Sequence, residues 1–306
     1  MQNFLTVAQQ VVVLFVLIGA GFMLGKTKIM NEQGAKICSD IALLLATPCV
    51  IIRSFQRESN ATLWWGVLAA LGASLMIHLL GIGVSYLFFR GDTDRNRVFR
   101  IATVLSIAGF MGLPLQQARL GDTGVFYGAA YVAMINLTLW SFGLLTMDKQ
   151  TRKLSWKKLL LSPGVVGLAV GLVVLLLPID LPIVIAAPID HLASLNTPLP
   201  MLFIGYYLSK VDFATALRKP SLFYACGVRL IVVPVLSAAV LYLLGIRGDL
   251  LIAMAIAASA PMAAAVSMFA TRYQGDAETA VNLVALSTIF SLITMPTIVT
   301  LVQAIA

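Results

Sequence analysis

Ten long apolar runs, separated by short polar connections, leave this chain one class of fold. They cover residues 4–25, 35–56, 62–89, 98–118, 123–147, 160–178, 184–209, 220–245, 249–271 and 277–304. About 20 apolar residues are enough to cross a bilayer as a helix. In hydrocarbon an unbonded backbone group costs several kcal/mol, so runs of this length must satisfy their amides internally, as α-helices. Only 11% of the 306 residues are charged and 60% are hydrophobic, against about 25% charged in soluble domains. No low-complexity tract or soluble domain interrupts the runs, so we expect one all-α membrane unit of ten transmembrane helices.

The distribution of cations gives an orientation. Lys26, Lys28, Lys36, Arg90, Arg95, Arg97, Arg100, Lys149, Arg152, Lys153, Lys157, Lys158, Lys210, Arg218, Lys219 and Arg272 fall on one side, 16 of the 21 Lys and Arg. Arg53, Arg57, Arg119 and Arg247 fall on the other, and Arg229 lies within the eighth run. The rich side reads as cytoplasmic, with both termini outside the cell membrane. The net charge of +8 is then mostly this orienting signal rather than a nucleic-acid patch. The N-terminus lacks the basic segment of a signal peptide, so the first run is expected to stay as a span. Cys38, Cys49 and Cys226 have neither disulfide nor metal-ligand spacing and read as small core residues.

Prolines reveal an internal repeat. Ala46-Thr47-Pro48 answers Asn196-Thr197-Pro198, and Pro114 answers Pro261, at intervals of 66 and 63 residues. Gly121-Asp122 and Gly275-Asp276 follow, where each aspartate can cap the next helix. Five spans per half is an odd number, so 1–153 and 154–306 form two inverted five-helix repeats.

Ser106–Gln117 (SIAGFMGLPLQQ) and Ala257–Thr271 (AASAPMAAAVSMFAT) are apolar but carry glycine, proline and small residues at their centres. Proline removes a backbone donor and clashes with the preceding turn, so helices four and nine are expected to break there and cross. Paired interrupted spans are the best sequence pointer to a transporter site. By inversion, the half-helices beginning near Pro114 and Pro261 point their N-termini at each other at the midplane. Each exposes free amides and a partial positive charge of about half a unit, together suited to a carboxylate.

The substrate-binding candidates are therefore Gly112, Leu113, Pro114, Gln116, Asn136, Ser259, Ala260, Pro261 and Met262. His78 is the clearest ionisable group near the membrane centre and a candidate proton carrier. Ser106, Gln117, Ser287, Thr288 and Ser291 are candidates for a sodium or proton site, with Thr138, Ser267 and Asn282 nearby. Asp40 and Asp190 sit near the ends of their spans, which argues against a carboxylate relay. No further cofactor is expected.

Three stretches carry a resemblance to a known family: LATPCVIIRSF at 45–55, GFMGLP at 109–114, and the run from Ala260 through ATRYQGDAETA to STIFSLITMP at 287–296. They resemble the auxin efflux carrier family of bacteria and plants, whose fold is similar to bile-acid sodium symporters. The resemblance implies a scaffold of spans 1, 2, 6 and 7 that also forms a homodimer interface. It implies a mobile domain of spans 3–5 and 8–10 that moves small organic acids, such as malate and malonate, or auxin, by an elevator-type mechanism. Many members carry a polar residue two positions before the GF pair, where this chain has Ile107.

Two other classes compete. Ser74 and His78 share a helical face, as a serine hydrolase would need, but no HExxH, P-loop or evident oxyanion hole accompanies them. An anion-binding sensor is the second. A secondary transporter of small organic anions, such as malate and malonate, is the first reading, ahead of one for auxin-like aromatic acids.

Overall fold

The computed structural model describes residues 2–56, 61–148, 160–161, 163–176, 181–211 and 213–306. Its helices are α1 (Gln2–Lys26), α2 (Glu32–Ile41), α3 (Thr47–Phe55), α4 (Ala61–Phe88), α5 (Asp94–Val104), α6 (Leu113–Thr138), α7 (Leu144–Met147) and α8 (Pro163–Leu176). There follow α9 (Ile183–Ser194), α10 (Pro198–Leu208), α11 (Phe213–Ala216), α12 (Pro220–Gly227), α13 (Val233–Leu243), α14 (Gly248–Ser259), α15 (Ala265–Arg272) and α16 (Ala277–Gln303). By length and composition six stretches can cross a membrane: Gln9–Lys26, Glu32–Phe55, Trp64–Phe88, Ala108–Met147, Pro220–Leu243 and Ala277–Gln303. Val165–Leu176 and Gly248–Ser259 are shorter apolar helices. Large apolar side chains such as Val16, Trp65, Leu79 and Ile293 are exposed on these helices, as a lipid-facing surface requires.

Proline acts differently from the expectation. Four π segments, Ala42–Ala46, Ala108–Gly112, Leu139–Gly143 and Val228–Val232, run into α3, α6, α7 and α13. In three of these helices the second residue is proline: Pro48, Pro114 and Pro234. A proline ring collides with the carbonyl four residues earlier. The wider π turn moves that carbonyl aside, and the residue before each proline donates five residues back: Thr47 to Ala42, Leu113 to Ala108, Val233 to Val228. Pro114 is thus accommodated within a helix. The interruption lies ahead of it, where α5 ends at Val104 and Leu105 turns extended (φ −87°, ψ 122°). In the second half Pro261 does fall in the interruption, which follows α14 with Ala260 extended (φ −61°, ψ 146°).

The runs expected at 98–118 and 123–147 are joined by a tight reversal rather than a loop. Gly121 has φ 61° and ψ −148°, a conformation that glycine adopts without a Cβ clash. In a straight helix residues 113 and 128 would stand about 22 Å apart. Instead a methyl placed on Gly128 would lie 2.7 Å from the Leu113 side chain, so the two arms are antiparallel. Asp276 caps α16 by accepting from Thr279 N at 3.0 Å, whereas Asp122 accepts from Gln117 Nε2 at 3.1 Å. The run expected at 184–209 divides at residues 195–197 into α9 and α10.

Helices α1 and α10 pack at contact distance. A methyl on Gly21 would lie 2.3 Å from Leu202 O, and one on Gly205 would lie 2.0 Å from Ile18 O. Charges sort to two ends. Arg95–Asp276 (3.7 Å), Lys219–Glu278 (2.7 Å) and Arg97–Asp92 (2.5 Å) share one, and Arg53–Asp190 (3.3 Å) lies at the other. The pairs other than Arg97–Asp92, whose arginine is buried, are exposed and contribute at most about 1 kcal/mol each, so they report neighbourhood more than stability. Arg57, Lys149, Arg152, Lys153, Lys157, Lys158 and the expected repeat boundary at 153/154 lie outside the described residues.

Candidate functional site

The two interruptions cross and pair. Ser106 and Met262 form an antiparallel bridge, with Ile107 N donating to Pro261 O at 2.9 Å and Ala263 N donating to Leu105 O at 3.0 Å. Met262 N donates to Ser287 Oγ at 3.2 Å. Three amides at the crossing are therefore already bonded. The first turns beyond it, at Ala108–Gly109 and Ala264–Ala265, carry amides that no carbonyl of their own helix can reach.

A cavity of about 140 Å³ adjoins this crossing. Ser106, Gly109, Asn136 and Ala263–Ala265 contribute to its wall, with Thr47 and Ser39 opposite and Ile107, Phe110, Leu139, Phe203 and Met268 supplying apolar surface. A second cavity, of about 320 Å³, is lined by Pro114, Gln117, Asp122, Arg53, Ser54 and Asn196 among others. The stretch Glu32–Phe55 runs past both. Ser39, Leu43 and Thr47 face the smaller cavity, and Val50, Arg53 and Ser54 face the larger. Thr47 lines the smaller cavity and Asn196 the larger, and these two side chains touch. There Thr47 Oγ1 donates to Asn196 Oδ1 at 2.8 Å, and Asn196 Nδ2 donates to Gly109 O at 3.2 Å. The two proline motifs that betray the repeat thus touch each other, 149 residues apart in the chain.

Of the sequence candidates, Ser106 and Asn136 meet at the smaller cavity, and Leu113, Pro114 and Gln117 line the larger. Asn136 is buried, its amide donating to Val132 O at 2.9 Å. Gln116 is buried elsewhere, its Nε2 donating to Ala253 O at 2.8 Å and so tying α6 to α14. Gly112 packs against Ala257. Ser259, Ser291 and Thr288 bond to their own helices through Ile256 O (3.0 Å), Thr288 O (2.6 Å) and Val284 O (2.7 Å). Ser287 Oγ both accepts from Met262 N and donates to Val284 O at 3.0 Å.

His78 is buried, with Nδ1 2.7 Å from Ser74 O and its ring 4.9 Å from that of Tyr131. The Ser74 hydroxyl instead faces Met254 Sδ at 3.4 Å. The imidazole therefore takes the serine carbonyl and not its hydroxyl, which is no arrangement for activating a nucleophile.

Arg229 is the residue whose role sequence reasoning missed. It is 1% exposed, donating from Nη1 to Thr103 O at 3.1 Å and from Nη2 to Ala260 O at 3.0 Å. Those carbonyls end α5 and α14, where helix dipoles concentrate negative charge, so one guanidinium fastens both sides of the crossing. A lone arginine in an otherwise uncharged apolar run was the available signal.

Comparison with known proteins gives the family. The family described as "Membrane transport protein" matches the chain twice, over residues 6–155 and 149–299. An uncharacterized transporter of Methanothermobacter thermautotrophicus is 24% identical over 299 residues, covering 96% of this chain and 97% of its own length. The chain belongs to the membrane transport protein family, that of the auxin efflux carriers, and is a multi-pass membrane transporter with two repeats.

Proposed function

We propose that this family member is a secondary transporter of small organic anions, carboxylates of the malate or malonate kind, working by an elevator-type motion. The observation that carries this reading is the antiparallel pairing of the two interruptions beside a cavity with polar walls. Interrupted helices are stable at membrane depth only where their free backbone groups are bonded within protein or line a cavity. In this reading the chain makes ten spans with both termini outside, in inverted halves 1–153 and 154–306. Spans 1, 2, 6 and 7 are the scaffold and a homodimer interface, and spans 3–5 and 8–10 move. The unbonded first turns at Ala108–Gly109 and Ala264–Ala265, with the positive ends of their helices, receive the anion.

A second reading, transport of auxin-like aromatic acids, draws support from Phe110, Leu139, Phe203 and Met268 in the cavity wall. Uptake and charge movement in proteoliposomes offered malate, malonate, succinate and indole-3-acetate, with and without sodium and pH gradients, decide between them. Uptake of a dicarboxylate accelerated by one gradient supports the first reading and identifies H+ or Na+ as the coupling ion. Uptake of the aromatic acid alone supports the second. Binding without flux would replace transport by an anion sensor.

A further inference from the structure

Resting on that transport reading, we propose that the Arg229 guanidinium stands at the crossing in the place of a coupling sodium ion, so that anion uptake runs without sodium. The position of its two bonds carries the inference. Nη1 donates to Thr103 O at 3.1 Å, in the last turn of α5, and Nη2 donates at 3.0 Å to the carbonyl of Ala260, the residue that follows α14. Each interruption thus contributes one carbonyl, at the negative end of its helix. In transporters built on broken helices, freed carbonyls and half-helix C-termini of this kind are where a sodium ion is coordinated. Here a covalently attached cation holds them.

The surroundings leave a second cation no compensation. Arg229 is 1% exposed, and a guanidinium stays protonated in proteins. No Asp or Glu is buried among the described residues, and the side chain beside the guanidinium, Tyr131, is a neutral phenol that also reaches Ser106. A charge within a membrane span pairs with another charge or with backbone carbonyls, and Arg229 has taken the carbonyls. Sodium entering the same shell would meet a fixed positive charge in a medium of low dielectric, where repulsion is strong. Of the hydroxyls expected to hold sodium, Ser287 Oγ has accepted the Met262 amide and Ser291 donates to Thr288 O. The residues at this crossing therefore fit a built-in cation and not a sodium ion.

The test uses the reconstituted full chain with radiolabelled malonate and indole-3-acetate, sodium being replaced by choline at constant ionic strength. Wild-type uptake is expected to run at the same rate in both salts, and Arg229→Lys, which keeps the cation, should remain indifferent to sodium. Arg229→Ala should lose uptake by about tenfold or more, through the loss of hydrogen bonds from a charged group. It should recover part of that loss in millimolar guanidinium or in sodium, but not in choline. A folded Arg229→Ala protein that neither cation rescues would reduce Arg229 to a structural role and overturn the proposal. If Arg229→Ala fails to fold, the wild type carries the test. Wild-type uptake that rises severalfold with sodium would overturn the proposal while leaving transport intact. If neither anion moves, the transport reading fails and melting of the wild type in detergent decides this inference separately. Equal melting in sodium and choline supports it, and a rise specific to sodium overturns it.

Discussion

Gly21→Ala and Gly19→Ala place the same methyl on the same helix two residues apart, with opposite expected outcomes. At Gly21 the new carbon would lie 2.3 Å from Leu202 O, 2.7 Å from its Cα and 2.9 Å from its carbonyl carbon, all backbone atoms of α10. Ordinary contact begins near 3.4 Å, so the two axes must part by roughly 1 Å along the crossing, losing close-packed contacts on both faces. Overpacking of this kind costs about 1–3 kcal/mol, and between membrane helices close approach at small residues is itself a main source of adhesion. At Gly19 no atom lies within 4 Å, and alanine in a helix is favoured over glycine by roughly 0.5–1 kcal/mol. Thermal unfolding in detergent, followed by tryptophan fluorescence and by survival on size exclusion, should show Gly21→Ala melting several degrees lower and Gly19→Ala level or higher. Equal melting of Gly21→Ala and wild type would refute the close crossing of α1 and α10.

Three further predictions address the site. Gln116→Leu removes the bond to Ala253 O and should lower stability by about 1 kcal/mol with little change in KM; a raised KM at unchanged melting would return Gln116 to the binding site. His78→Gln is expected to abolish the pH dependence of uptake if the imidazole carries the coupling proton, and retained dependence eliminates that role. Asn196→Ala removes the contacts to Thr47 and Gly109 that stand between the two cavities. In a background without Cys38, Cys49 and Cys226, a cysteine at position 47 should react with impermeant thiol reagents from one side only. With Asn196→Ala added it should react from both, and unchanged one-sided labelling would show that another layer separates the cavities.

Helical character and the pairing of the halves were legible because hydrophobic runs and prolines are local signals. Pro261 lies in the gap after α14 and Pro114 within a helix, because a proline reports strain without saying how the chain relieves it. At Pro48, Pro114 and Pro234 a π turn relieves it. The interruption at Leu105 requires the partner strand at Pro261–Ala263, 156 residues away, and nothing around Leu105 announces that partner. The same limit applied to the polar candidates. Ser106 and Asn136 reach the cavity, while Gln116 and Ser259 turn to carbonyls of neighbouring or own helices, a choice set by side-chain direction rather than by residue type. Arg229 is conspicuous in the sequence, yet only its bonds to Thr103 O and Ala260 O show that it belongs to the crossing and not to a span end.

The contact between Thr47 and Asn196 also bears on how the protein meets the membrane potential. If water fills both cavities, the voltage falls mainly across the material between them, and the 2.8 Å contact of Thr47, which lines the smaller, with Asn196, which lines the larger, is part of that material. A unit charge crossing the whole potential exchanges about 2.3 kcal/mol per 100 mV. The shorter the distance over which such a field is concentrated, the smaller the displacement by which a charged group exchanges most of that energy.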